Sequence, residues 1–201
     1  MDIPLSEEEK IKILNSTDLY EIMKRILLRE QKIDQDREHF WVVGLDNAHR
    51  ILFIELISMG TVNQALVKPM EVFSLALQRR AVNIILCHNH PSAELKPSVQ
   101  DKDITDRLIQ VGIIVDLPVF DHLIISPKGF LSFEDIGLMS ELRNSIKWVP
   151  PYQQAEKMRQ QAAGIVKKRM IQVARSLKRK GVDNATIVDS TGLSLEEVKE
   201  L

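Results

Sequence analysis

The chain has 201 residues, 44% hydrophobic and 27% charged, with 8 Gly, 8 Pro and one Cys. This composition excludes disordered, collagen-like and disulfide-stapled classes, and at about 100–200 residues per domain it fits one domain with an appendage. A lone Cys forms no internal disulfide and points to a reducing, cytoplasmic setting; the start MDIPLSEEEK lacks the apolar core of a secretory signal, and no apolar run approaches the roughly 20 residues that span a bilayer, so no membrane contact is expected.

Asn15, Ser16, Thr17 and Asp18 offer caps ahead of Leu19, Ile22, Met23, Ile26 and Leu27, whose spacing predicts an amphipathic helix ending near Arg29. Residues 39–43 and 50–57 read as two strands joined at Asp46-Asn47, a β-hairpin. Pro69 opens a helix through Val72, Phe73 and Leu77, and residues 81–87 form a short apolar run that suits a buried strand. Ser98 is placed to cap a helix that uses Ile104, Leu108 and Ile109, with Gly112 as its expected end. Strands follow at 118–125 and 130–132. The alternation predicts a layered α/β domain over about 15–137, and residues 140–155, containing Pro150-Pro151, read as a linker. The expected organisation is an N-terminal helix within 1–29, a domain at 30–139, the linker, and a helical tail at 156–201.

The stretch most informative for chemistry is His88-Asn89-His90-Pro91 and its continuation to Ser98 and Asp101. Histidines two apart at a strand end face the same way, and Asp101 falls in the first turn of the following helix, where a carboxylate is favoured. Two imidazoles and a carboxylate suit Zn²⁺, and three protein ligands leave a fourth tetrahedral position for water, as in catalytic rather than structural zinc sites. Cys87 alternates to the opposite face and reads as a buried small hydrophobe. His39 and His49, without partner spacing, read as structural or exposed.

His-x-His, seven residues, Ser, two residues and Asp resembles the JAMM (MPN+) metalloprotein motif. The words Ser58-Met59-Gly60-Thr61, His88-Asn89-His90-Pro91-Ser92 and Asp121-His122-Leu123-Ile124 resemble its RadC-like branch, over roughly residues 30–137. The resemblance implies an MPN-type, cytidine-deaminase-like three-layer α/β/α domain with a mixed sheet. It also implies that His88, His90 and Asp101 hold one zinc ion, with water as the fourth ligand. Glu55, the one acidic residue between Asp46 and Glu71, would then exchange the proton of that water. The alternative for Glu55 is an outward residue on a half-buried strand. Ser98 would steady the substrate oxyanion, serve as an N-cap, or do both. Asp121 and His122 are either partners of the metal-binding histidines or a polar strand end. Longer members carry an N-terminal helix-hairpin-helix. The roughly 35 residues before the first strand here hold no Gly, so that unit is expected to be missing.

The formal net charge of −1 conceals an asymmetry. Residues 157–180 hold nine basic residues, including Lys167, Lys168, Arg169, Arg175, Lys178, Arg179 and Lys180, and all 28 acidic residues lie elsewhere. The tail pattern is helix, Gly181, short helix, turn, short helix. It resembles a small helix-turn-helix unit, although Glu196, Glu197 and Glu200 on the last helix repel phosphate. The leading expectation is a JAMM-type zinc hydrolase acting on an amide or isopeptide bond of a peptide or protein. The alternative is a DNA-associated accessory protein of repair or mobile elements, binding or cleaving single- or double-stranded DNA, with the basic helix meeting phosphate. The tail also suits a homodimer contact or a docked protein partner.

Overall fold

A computed structural model describes residues 12–29, 37–60 and 67–201. The expectations for the MDIPLSEEEK start and for Thr61 lie outside the described residues. The chain divides into two compact units, Met1–Trp148 and Val149–Leu201, each taken by itself. Among the described residues no helix is long and apolar enough to cross a membrane.

The first unit opens with α1 (Ser16–Arg29). Asn15 accepts the Asp18 N–H at 3.0 Å, while Asp18 accepts those of Leu14 and Asn15, so two of the expected cap residues serve each other. The hairpin follows as β1 (Glu38–Leu45) and β2 (Ile51–Gly60), antiparallel, with Asp46 accepting the N–H groups of Ala48 and Arg50 in the turn. Then come α2 (Pro69–Gln78), β3 (Asn83–Asn89), α3 (Val99–Ile114), β4 (Val119–Ser126), β5 (Gly129–Ser132) and α4 (Leu138–Arg143). The sheet order is β2-β1-β3-β4-β5, mixed because β3 and β4 are parallel and their neighbours antiparallel.

Alternation along the strands gives the sheet two apolar faces. On one, Val42, Phe53, Ile84, Leu86 and Ile124 pack under α2, α3 and α4 through Val72, Phe73, Leu108, Ile109 and Met139. On the other, Trp41, Val43, Ile54, Ile85, Cys87 and Leu123 pack against Leu19, Ile22, Met23 and Ile26 of α1. The result is the expected three-layer α/β/α domain. One boundary differs: Gly112 lies inside α3 and does not end it. A Cβ there would meet the Leu117 carbonyl oxygen at 2.6 Å, so close backbone approach accounts for the glycine.

The second unit is helical: α5 (Pro151–Arg179), α6 (Asn184–Thr191) and α7 (Leu195–Lys199). Ala174, Ile187, Leu193 and Val198 form its small core, with Met170, Ile171 and Leu177 against them. Gly181 turns the chain after α5 at φ 79°, and Asp183 and Ser194 cap the next two helices. Of the expected linker at 140–155, α4 and α5 take the two ends, and residues 144–150 between them hold the boundary of the two units. The Pro pair that read as loop punctuation starts a helix, with Pro151 at a position whose N–H needs no partner.

Candidate metal centre

Three elements converge at one end of the sheet. Phe40 of β1 is the register partner of His88 near the end of β3, and His90 follows directly after the strand. The chain then turns, with Ala93 donating to the His90 carbonyl at 2.8 Å, and reaches α3 through a reciprocal cap. Ser98 Oγ accepts the Asp101 N–H at 3.0 Å, and Asp101 Oδ2 accepts the Ser98 N–H at 2.6 Å. The cap holds the Asp101 carboxylate over the strand end instead of letting it point to solvent.

His88 Nε2 lies 2.9 Å from His90 Nε2 and 3.4 Å from Asp101 Oδ1, and His90 Nε2 lies 3.5 Å from Asp101 Oδ2. Ligands about 2.0–2.1 Å from a tetrahedral ion stand roughly 3.3 Å apart, which these edges bracket. The donor chemistry fits as well. His90 Nδ1 lies 2.6 Å from the Glu94 carbonyl, which only accepts, so the proton sits on Nδ1 and the Nε2 lone pair faces inward. Two ring nitrogens and a carboxylate oxygen aimed at one another at these distances call for a proton or a metal ion between them. His88 is buried, while the His90 and Asp101 side chains keep 13% and 11% exposure, so the triangle opens on their side.

The electrostatics follow from this packing. Burial would raise the Asp101 carboxyl, but the His88 and His90 imidazoles beside it and the Ser98 contact hold it well below the usual carboxylate range. The Asp101 carboxylate beside it raises the His90 imidazole against the opposing effect of burial.

Glu38 was not among the residues singled out from the sequence, yet it faces this site. It begins β1, two residues before Phe40, and so shares the face of His88. Burial raises its carboxyl, and His88, Asp101 and His90 all lie close enough to act on it. Its Oε2 is buried without a hydrogen-bond partner. Glu55, expected in this place, pairs with Val42 on the outer strand β2. It is two strand spacings, roughly 10 Å, from β3, and level with Leu86 rather than His88. Reading the first strand from His39 left Glu38 outside it. Extending the alternation by one residue would have exposed the glutamate.

The pair Asp121 and His122 separates. His122 lies on the ligand face, its Nε2 2.7 Å from His88 Nδ1. Burial, with the His88 imidazole against it, holds it well below the ordinary histidine value, so it is neutral. Asp121 turns to the α1 face. Its Oδ1 accepts the N–H groups of His122 and Glu134 and its Oδ2 accepts the Ser132 hydroxyl, so it joins β4 to the segment after β5 and does not serve a metal ligand. Cys87 is buried on that same face. His39 is buried and stacked on Trp41 at 5.0 Å, and His49 sits in the hairpin turn.

Of the tail residues, three are engaged within their own unit, Arg179 by donating from Nε to the Arg175 carbonyl at 3.3 Å. Lys167 pairs with Glu197 at 2.6 Å, and Lys178 donates to the carbonyls of Val198 and Lys199, closing the C-terminal end of α7. Lys168, Arg169, Arg175, Arg179 and Lys180 are exposed along α5 and just after it.

Residues 13–138 match the RadC-like JAB domain. Among curated relatives, a UPF0758 protein of Desulforudis audaxviator is 44% identical over 112 residues, 56% of this chain and 49% of the relative. One from Pelodictyon phaeoclathratiforme is 42% identical over 106 residues, 53% of this chain and 48% of the relative. One from Chlorobium chlorochromatii is 36% identical over 134 residues, 67% of this chain and 58% of the relative. The chain spans about half the length of the curated relatives it matches. The family match runs through all five strands and includes His88, His90, Asp101 and Glu38, and by that extent the chain belongs to the RadC-like JAB domain family.

Proposed function

We propose that this domain is a zinc-dependent hydrolase that cleaves an amide or isopeptide bond in a peptide or protein. The observation that carries the reading is the ligand triangle of His88, His90 and Asp101, with edges of 2.9, 3.4 and 3.5 Å. A zinc ion held there supplies a water of lowered pKa, about 7, and a Lewis acid for the substrate carbonyl. Glu38, half-buried on the same face with a raised pKa, takes a proton from the attacking water and returns it to the leaving amine. Ser98 Oγ accepts the Asp101 N–H and keeps its own proton to donate to the carbonyl oxygen as charge develops.

The test is cleavage of quenched peptide and isopeptide substrates by zinc-loaded protein, with Glu38→Gln and Glu55→Gln beside the wild type. Glu38→Gln should bind zinc and lose at least ~10²-fold in turnover. Glu55→Gln should stay within a few-fold. Undiminished turnover in Glu38→Gln would remove it from the mechanism, and the absence of any cleavage by zinc-loaded wild type would oppose the hydrolase reading.

A second reading concerns the tail. Lys168, Arg169, Arg175, Arg179 and Lys180 are exposed cations in a stretch without acidic residues, which supports contact with nucleic acid phosphates. Binding to a DNA duplex should weaken by orders of magnitude between about 50 and 200 mM salt, and weaken again when Lys168 and Arg175 are replaced by Ala. Salt-independent binding would argue against it.

A further inference from the structure

His90 has its tautomer set by a carbonyl, but His88 has a harder problem. Its Nδ1 meets another imidazole, His122 Nε2, at 2.7 Å. Two neutral rings joined nitrogen to nitrogen share one proton between them, and either can be the donor. If His122 donates, the His88 proton moves to Nε2, into the centre of the ligand triangle, and blocks it. If His88 donates, Nε2 is free to bind a cation. Something beyond the pair has to choose.

The next group along is Thr105. Its Oγ1 lies 2.6 Å from His122 Nδ1, and its hydroxyl donates to the Asp101 carbonyl one turn back in α3. That carbonyl only accepts, so the Thr105 proton is committed to it and the oxygen presents a lone pair to His122. His122 is then protonated on Nδ1 and bare on Nε2, His88 donates from Nδ1, and the His88 Nε2 lone pair points at His90 and Asp101. Thr105 and His122 are both 0% exposed, and His122 is enclosed by the rings of Phe40 and Phe133 at 5.7 and 4.7 Å, so water does not offer an alternative proton path. The circuit closes on the backbone of Asp101, the third ligand itself.

We propose that Thr105 is a positioning residue that acts through His122 to fix the metal-binding tautomer of His88. The inference rests on the metal-site reading, and its test separates the two. Thr105→Val keeps the shape and removes the hydroxyl, Thr105→Ser restores it, and Thr105→Ala serves where Val packs badly. The first readout is the ¹⁵N spectrum of the imidazoles in metal-free full-length protein. Wild type and Thr105→Ser should show His88 protonated on Nδ1, and Thr105→Val should shift His88 toward the Nε2-protonated form. The second is zinc affinity by competition with a chelating dye. Thr105→Val should bind about 10–100-fold more weakly, the range for loss of an outer partner of a ligating histidine, with recovery to within a few-fold in Thr105→Ser. A His88 tautomer unchanged in both Thr105→Val and Thr105→Ala would overturn the inference. A wild type that binds no zinc yet shows the expected tautomer shift would leave the positioning intact and defeat the metal reading.

Discussion

The two faces of the central sheet both bury polar side chains, but they use them differently. On the α1 face, Asp121 spends its two oxygens on His122 N–H, Glu134 N–H and the Ser132 hydroxyl. Asn89 likewise accepts the His39 N–H and donates to the Arg37 carbonyl, tying the ends of β1 and β3 together. On the opposite face, His88 and His90 are each anchored through Nδ1 and leave Nε2 turned toward the Asp101 carboxylate. Polar groups on one face knit the sheet, and on the other they are held so that their remaining atoms converge. Burial of charge alone does not mark a functional site; the direction in which the lone pairs are left does.

That contrast can be broken from either side. The largest effect is expected at the converging face. Asp101→Asn should weaken zinc binding beyond the roughly 10–100-fold range typical of outer partners, because it removes a ligand charge. Isothermal titration with zinc checks it, and unchanged affinity would mean that the carboxylate is only a helix cap. Next comes the knitting face. Asp121→Asn puts a donor where only donors approach, and should cost about 1–3 kcal/mol in urea unfolding while zinc affinity stays within a few-fold. A large zinc defect with unchanged stability would return Asp121 to the metal site. The smallest effect is expected at Ser98, which belongs to both roles. Ser98→Ala should lose about 1 kcal/mol of stability with its cap, retain zinc, and lose turnover.

Much of this contrast was legible in the residues. His88, His90 and Asp101 declare themselves by strand alternation and by a helix start of defined spacing, both local rules. The layers followed from periodicity, which also placed Cys87 on the far side. Glu38 was hidden by a strand boundary set one residue late, at His39, and the apolar run that drew attention to Glu55 carried no information about which strand lies beside β3. Asp121 and His122 are neighbours whose difference rests on pairing: Asp121 lies opposite Ile85 and His122 opposite Leu86, so they belong to different faces. Thr105 reads as an ordinary helix residue, and its role exists only once α3 lies against β4. Pro150-Pro151 close the linker and also open α5, because proline both ends and begins helices, and only the residues after it distinguish the two.

The central claim is that one divalent cation is held by His88, His90 and Asp101. Metal content of purified full-length protein, dialysed against trace zinc and measured by mass spectrometry, tests it directly, with His90→Ala as the comparison. The account predicts close to one zinc per chain in wild type and loss of most of it in the variant. No zinc in metal-replete wild type, or equal zinc in His90→Ala, would contradict it.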